Sequence, residues 1–471
     1  MGKYLVKRIL LFLPTLVVIS WIAYGLSLLA PGDPVSDLCG DQGILMEGEY
    51  ERCARQYGYD LPAFYFSLSP AAFPDTLHRI QPKSRRDMLS RLLAQTGNWK
   101  EVEAYDQGIE ALLKKISRLP DSLNRQQKID LTQLLRNQIR VEHKPLTAAS
   151  LVKRLDSLSR ESAYAPSIAE EASGLRRQWE RVLETATPGL LRRPDFKWYG
   201  LENRYHRWMA GLLTGDFGTS FKDKRPVGSK LRPALYWTLV LNLSAFALAF
   251  ALAVPIGVYS ALRKGSRMDR FFTVFLFGLY SLPRFWVATI FVIFFTSSVY
   301  SPWLDWFPSV GLGQVAADAG WWERFSVRAS HMVLPVICQT YGLLAFFARQ
   351  VRGGMLDVIR QDYIRTARAK GLDERTVVWK HAFRNALFPV ITVLASLFPA
   401  SIAGSVVLEV IFAIPGMGLL TFEAIFADDW PVVFSVLLLG ALLTMLGIWV
   451  SDLLYGIADP RVRLGRDERT T

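Results

Sequence analysis

The chain has 471 residues, 51% of them hydrophobic and 21% charged, with a formal net charge of +13 at pH 7 and a mean hydropathy of +0.19. That balance excludes a disordered chain and points to a protein with several membrane spans. Three cysteines exclude a disulfide-dense scaffold, and no CxxC or Cys/His cluster suggests a metal site. No HExxH, GxSxG or GxxxxGK(S/T) motif occurs, so any energy from ATP must enter through another chain. Lys and Arg gather beside apolar runs, as the positive-inside rule expects of cytoplasmic loops, which argues against nucleic acid as a partner.

Six segments reach the roughly 20 mainly apolar residues that a bilayer crossing needs. They are Ile9 to Ala30, Leu239 to Leu262, Phe271 to Ser297, Met332 to Ala348, Leu387 to Phe412 and Val432 to Ile457. The first follows Lys3, Lys7 and Arg8 as a secretory signal would, but its apolar run is long and no small-x-small site follows, so a retained helix is expected. Gln339, Thr340 and Tyr341 interrupt the fourth and make it the weakest. Arg263, Lys264, Arg267 and Arg270 lie between the second and third, a basic stretch lies between the fourth and fifth, and Arg461, Arg463 and Arg466 follow the sixth. These loops and both termini are expected on the cytoplasmic side.

The same topology puts residues 31–237 outside, between a first segment of residues 1–30 and a membrane core of residues 238–471. The outer region is too long for a simple loop. Within residues 66–198, "SRRDMLSRLLAQTGNW", "VEAYDQGIEALLKKISRL", "RQQKIDLTQLLRNQIRVE" and "ASGLRRQWERVLE" carry apolar residues at helical spacing. Asp121 and Ser122 read as a helix start, Pro120 and Pro145 as breaks, and the whole as a domain of four or five helices. Its apolar stripes are read as its own core.

Between the fourth and fifth spans lies "DYIRTARAKGLDERTVVWKHAFRNALFPV", within a loop of residues 351–386. It has the spacing of two short helices broken at Gly371. Glycine permits a left-handed helix end, and Asp373 and Glu374 then supply acid for the first turn of a new helix. On composition alone this is also what a basic cytoplasmic loop with a capping glycine would look like.

This stretch resembles the coupling loop of the membrane subunits of bacterial ABC importers, whose pattern is EAA, three residues, then Gly. Arg365, Thr366, Ala367 and Gly371 occupy those positions; the acidic first residue and a later Leu-Pro are missing. "PGDP" from Pro31, "YGYDLP" from Tyr57, "GLLTGDFGTSF" from Gly211, "SLPRFW" from Ser281, "VVLEVIFAIPGMG" from Val406 and "DLLYGIADPRVR" from Asp452 are similar to the dipeptide and oligopeptide permease branch, in its order. Residues 66–198 have no counterpart in that pattern.

The resemblance implies an all-α fold with six transmembrane helices of the type I importer kind. It also implies a multi-pass place in the bacterial inner membrane and the import of short peptides without chemistry on this chain. ATP and magnesium would be bound by two partner ATPase subunits, and no cofactor by this chain. A second homologous permease subunit, an extracytoplasmic solute-binding protein and the lipid bilayer would complete its partners. Near relatives share these motifs, so another solute such as a nickel chelate or a modified peptide stands as an alternative. A membrane-embedded hydrolase has only adjacent Ser330 and His331 to offer, which do not face one another on a helix.

For the coupling loop, the resemblance assigns Ala367 and Gly371 to close packing in a cleft of the ATPase, with Arg365, Arg368, Lys370, Asp373 and Glu374 around them. Inside the membrane, Arg284 lies about 14 residues, or about 21 Å of helix, into the third span. A charge at that depth costs roughly 2.5 to 3.5 kcal/mol and so faces protein or water. It either lines the path and meets a peptide carboxylate, or pairs structurally with Glu409 or with carbonyls at the Pro283 kink. Glu409 matches an acidic position of the family pattern and also reads as an interfacial carboxylate in water. Gln339 and Tyr341, with Thr340, supply either path-lining groups or helix-helix hydrogen bonds. Cys39 and Cys53 both fall outside, where a disulfide and two free thiols are equally open readings.

Overall fold

A computed structural model describes residues 2–40, 49–120, 125–139, 145–299, 302–387 and 405–458. Most of this backbone is helical, and it divides into two units, Met1–Pro31 with Asp216–Thr471, and Gly32–Gly215. The chain opens with α1 (Gly2–Leu29), which leaves Leu10, Leu13, Trp21 and Ile22 exposed, as a helix solvated by lipid does.

The second unit starts with α2 (Pro34–Cys39), capped by the Asp33 carboxylate, and α3 (Glu49–Tyr57). Cys39 and Cys53 are joined in a disulfide, with their Cα atoms 6.5 Å apart. Then come β1 (Phe66–Pro70), α4 (Lys83–Thr96), α5 (Trp99–Ser117), α6 (Arg125–Gln133) with a wide π turn over Leu134–Ile139, α7 (Pro145–Glu161), α8 (Ala165–Glu184), β2 (Pro194–Trp198) and α9 (Arg204–Leu213). In α5, Val102, Tyr105, Ile109, Leu112 and Ile116 recur every three or four residues and form one buried face. Ile168, Ala172, Leu175, Trp179 and Val182 do the same in α8, and both faces close one core with Leu89 and Leu92 of α4 and Val152 and Leu155 of α7.

Pro145 marks its break as the first residue of α7, where its missing N–H costs nothing. The start signal at Asp121 and Ser122 lies outside the described residues. One feature of this unit is not helical. β1 and β2 pair antiparallel, with Phe66 opposite Trp198 and Leu68 opposite Phe196.

The first unit resumes with α10 (Val227–Leu262), α11 (Arg267–Ser281), α12 (Arg284–Phe295) and α13 (Trp321–Ile359), followed by the short α14 (Asp362–Ala369) and α15 (Glu374–Thr376), which continues as a π helix over Val377–Phe383. It ends with α16 (Val406–Ile411), α17 (Met417–Phe426) and α18 (Trp430–Ala458). Among the described residues four helices are long and apolar enough to cross a membrane: α1, α10, α13 and α18. A fifth crossing exists if α11 and α12 count as one. Most of the fifth expected span, Leu387 to Phe412, lies outside the described residues.

α10 and α13 form the central pair. Ala245, Ala249, Ala253 and Gly257 repeat every fourth residue and are buried against α13. A Cβ on Gly257 would stand 2.8 Å from the Ala348 carbonyl oxygen and 2.7 Å from the Val351 Cβ. In lipid, where apolar surface is not driven inward, such close backbone approach supplies the packing energy. α13 has 39 residues, about 58 Å of helix, against about 30 Å of hydrocarbon, so it projects well beyond the bilayer core. Trp321, Trp322 and Phe325 are exposed at its start, the composition of an interfacial belt.

The third expected span is not one straight helix. α11 and α12 meet at 87°. Pro283 lacks an N–H and drives the preceding Leu282 into extended backbone, with φ −79° and ψ 126°. A depth for Arg284 measured along an unbroken helix therefore does not hold, because Arg284 is the first residue of a helix that sets off in a new direction.

Candidate functional site

Two regions of the first unit gather the residues singled out in the sequence. The first begins at the bend. The Tyr341 hydroxyl donates to the Leu282 carbonyl at 3.1 Å and so satisfies an acceptor that the break releases. Arg284 is exposed, and its guanidinium lies over Gly342, where a Cβ would come within 3.1 Å of it. Its Nη1 donates to Gln339 Oε1 at 3.4 Å, a long contact. Gln339 Nε2 donates to Asn242 Oδ1 at 2.9 Å, and Asn242 Nδ2 donates to the Thr238 carbonyl at 3.0 Å. Thr340, beside them, donates to the Ala245 carbonyl.

The line ends at Glu409, which is fully buried. Its Oε1 accepts from the Thr238 hydroxyl at 3.0 Å and from the Ser405 N–H at 3.3 Å. Its Oε2 accepts from the N–H groups of Gly418 at 2.6 Å and Leu419 at 3.1 Å, while the Met417 N–H donates to Thr238 Oγ1 at 2.8 Å. Those three amides open α17, whose first turn has donors and no partners of its own. Glu409 and Thr238 therefore cap α17 from α16 and α10, and the helix dipole favours a negative charge there. Gly416 and Gly418 leave the room: a Cβ on Gly416 would meet Oε2 at 2.4 Å, and one on Gly418 would meet the Val406 Cα at 2.6 Å.

These contacts correct two expectations. Arg284 and Glu409 form no ion pair; Gln339, Asn242 and Thr238 stand between them. Nor is Glu409 an interfacial carboxylate in water. Four donors replace the solvent and the cation, so its burial leaves no unsatisfied oxygen. Asn242 and Thr238 were missed in the sequence. Their only signal was polarity inside a long apolar run, which marks a position without naming its partner.

The second region is the basic loop. α14 ends in a Schellman turn: the Gly371 N–H donates to the Arg368 carbonyl at 2.9 Å and the Leu372 N–H to the Ala367 carbonyl at 3.4 Å. Gly371 has φ +78°, is exposed, and has open space where a Cβ would be. Asp373 caps α15 by accepting from the Arg375 N–H at 3.1 Å. Across the turn, Arg368 forks onto Glu374, with Nε–Oε2 3.0 Å and Nη2–Oε1 2.6 Å. Hydrogen bonding to Arg368 holds the Glu374 carboxyl below its ordinary range, and the same pairing raises Arg368. Arg365 reaches Asp362 at 3.4 Å on the exposed face, and Lys370 is exposed beside it.

Ala367 does not point outward with them. With Ile364 it is buried among Val258 and Ala261 of α10, Val351 and Met355 of α13, and Val377, Val378 and Ala382 of the π helix. The helical period explains the correction, since Ile364 and Ala367 are three apart and share the inward face while Arg365 and Arg368 share the outer one. The pair α14–α15 is thus packed onto the ends of α10 and α13. Beside it, Arg352 of α13 makes a two-pronged bond to Asp269 of α11 at 2.9 and 3.0 Å. Asp269 also accepts from the Gly265 N–H, and Ser266 caps the Asp269 N–H. The Ser-x-x-Asp spacing was the available sign of this clamp.

A third joint involves residues 216–221 of the quoted motif. The buried Asp429 accepts from the Ser220 hydroxyl at 2.5 Å and the Phe221 N–H at 2.8 Å, with Lys230 Nζ at 3.4 Å. Among the described residues no group of three or more His, Cys, Asp or Glu side chains could hold a metal ion.

Long apolar helices packed through small residues, polar lines buried between them and a charged helix pair folded onto their ends define a polytopic membrane protein. Residues 253–464 match the family described as binding-protein-dependent transport system inner membrane component. The chain is 38% identical over 269 residues to the oligopeptide transport system permease protein AppB of Bacillus subtilis, covering 56% of this chain and 82% of that one. It is 37% identical to the oligopeptide transport system permease protein OppB of Haemophilus influenzae, covering 56% and 81%. Identity is also 37% to the di/tripeptide transport system permease protein DppB of Pseudomonas aeruginosa, again covering 56% and 81%.

The chain belongs to this family of ABC-importer permease subunits. It is a multi-pass inner-membrane protein that works with ATPase and binding-protein partners, and ATP hydrolysis belongs to the partner chains.

Proposed function

We propose that this chain forms half of the membrane path of an ATP-driven importer of di- and oligopeptides. The other half is a second, similar permease subunit; two ATPase subunits bind ATP and magnesium, and an external binding protein delivers substrate. Both termini and the α14–α15 pair face the cytoplasm, and residues 32–215 face outward. The observation that carries the reading is the joined pair itself, in a chain of this family whose matched relatives are named for peptides. A stiff turn at Gly371, a charged outer face and a buried inner face suit a part that receives movement from an ATPase and hands it to α10 and α13. Arg284, exposed at a break in the spanning helices and oriented through Gln339, is the group on the path suited to a peptide carboxylate.

Uptake of labelled di- and tripeptides by cells with and without the chain tests the substrate. Loss of uptake, restored by the intact chain, is expected; unchanged uptake of every peptide would remove the peptide reading. Gly371→Val tests the coupling, because φ +78° strains any β-branched side chain. The variant is expected in the membrane at normal level with ATPase activity no longer linked to uptake.

A further inference from the structure

The second unit carries an apolar face that its own core does not use. β1 and β2 form a two-stranded ribbon whose alternation divides it sharply. Ser67 and Lys197 turn to the protein: Ser67 bonds the Tyr199 hydroxyl at 2.9 Å, and Lys197 pairs with Asp75 at 2.7 Å. The other face presents Leu68 at 72% exposure, Trp198 at 66%, Phe196 at 62% and Phe66 at 45%. Phe66 and Phe196 stack at 5.7 Å, so the patch is continuous across the strands. Just before β2, Arg192 and Arg193 are exposed and form no ion pair among the described residues.

We infer that this ribbon lies on the lipid bilayer, with Phe66, Leu68, Phe196 and Trp198 among the headgroups and upper acyl chains and Arg192 and Arg193 on headgroup phosphates. Three observations choose lipid over a protein. Aromatic and aliphatic side chains edged by arginine are the composition that the interfacial layer selects. The patch is small, four side chains wide, whereas a stable protein interface takes about 800 Å² from each partner. The unit is also tied at both ends to membrane-spanning helices, since Leu29 closes α1 shortly before Gly32 and Val227 opens α10 shortly after Gly215. A bilayer is therefore always within reach, and tethering turns a weak contact into a standing one. An open ribbon has unpaired backbone groups along its edges, which headgroups and water can satisfy and hydrocarbon cannot, so it rests in the interface and does not cross.

The test uses the full chain in native membranes, with the photoreactive residue benzoylphenylalanine in place of Phe196, a change that keeps the ring. A second version carries it in place of Lys153, exposed on α7. After illumination, adducts with isotopically labelled phospholipid are compared with adducts to protein. The expected result is phospholipid labelling at position 196 severalfold above that at 153. A protein adduct as the main product at 196 would overturn the inference in favour of a docking surface for another chain. Equal lipid labelling at both positions, or none at either, would overturn it as well.

Discussion

The two units bury opposite things. In the unit of residues 32–215, large side chains such as Leu89, Tyr105, Ile109 and Leu112 are inside, and the charged residues Lys153, Arg154 and Glu180 are outside. In the unit of the long helices, Leu243, Leu252, Val274 and Phe277 are outside, while Ala245, Ala249, Gly257, Thr238, Asn242 and Glu409 are inside. The solvent accounts for the inversion. Water drives large apolar groups together, whereas lipid leaves them indifferent and lets small residues and satisfied polar groups decide how helices meet. One chain therefore holds two recipes for stability, and substitutions should separate them.

The largest effect is expected where the lipid recipe depends on space. Gly418→Val would drive a side chain into the Val406 backbone and displace Glu409 from α17. Its expected outcome is loss of the folded subunit from the membrane, read by immunoblot of membrane fractions, with no rescue by a second change in residues 32–215. Next comes the reverse substitution in the water recipe, Leu112→Ala. It should cost the second unit about 2 to 5 kcal/mol, measured as faster proteolysis within residues 32–215 while the spanning helices stay protected. The clamp between α11 and α13 follows. Asp269→Ala leaves the half-buried Arg352 without its partner and should cost about 1.5 to 3 kcal/mol, seen as a lower midpoint of thermal unfolding in detergent.

The smallest effect is at the exposed Arg368–Glu374 fork, where Glu374→Gln should cost about 0.2 to 1 kcal/mol. Because Glu374 is held below its ordinary range in the fold, the pair's contribution is present above the ordinary glutamate range. It fades as pH falls through the lowered value. The difference between Glu374→Gln and the unaltered chain, by hydrogen exchange at the α14–α15 turn, should therefore vanish in acid.

What the sequence made legible follows the same division. α1, α10, α13 and α18 were visible as apolar runs, and α4, α5 and α8 as amphipathic ones, because each pattern is local. The turn at Gly371 was legible too, since helix caps are written in neighbouring residues. Pro283 was visible as a kink, but a run of Phe and Leu on both sides gave no measure of an 87° change in direction. The partners of Glu409 were hidden because Thr238 lies 171 residues away in sequence and none of Thr238, Ser405 and Gly418 carries a charge to advertise the contact. The inward turn of Ala367 was available from its three-residue spacing to Ile364, and the pull of the motif concealed it. β1 and β2 escaped notice because each is short and its partner lies at the far end of the intervening helices.

That last pairing has a consequence for how such a chain could be assembled or rebuilt. Phe66 and Trp198 sit opposite one another, so the polypeptide enters and leaves residues 66–198 through a single doorway. Everything between them behaves as a portable cassette whose two ends already touch. Removing it leaves a short gap to close and frees the Tyr59 and Gly32 carbonyls that Gln81 and Lys83 hold, and another small domain with adjacent termini could be fitted in its place.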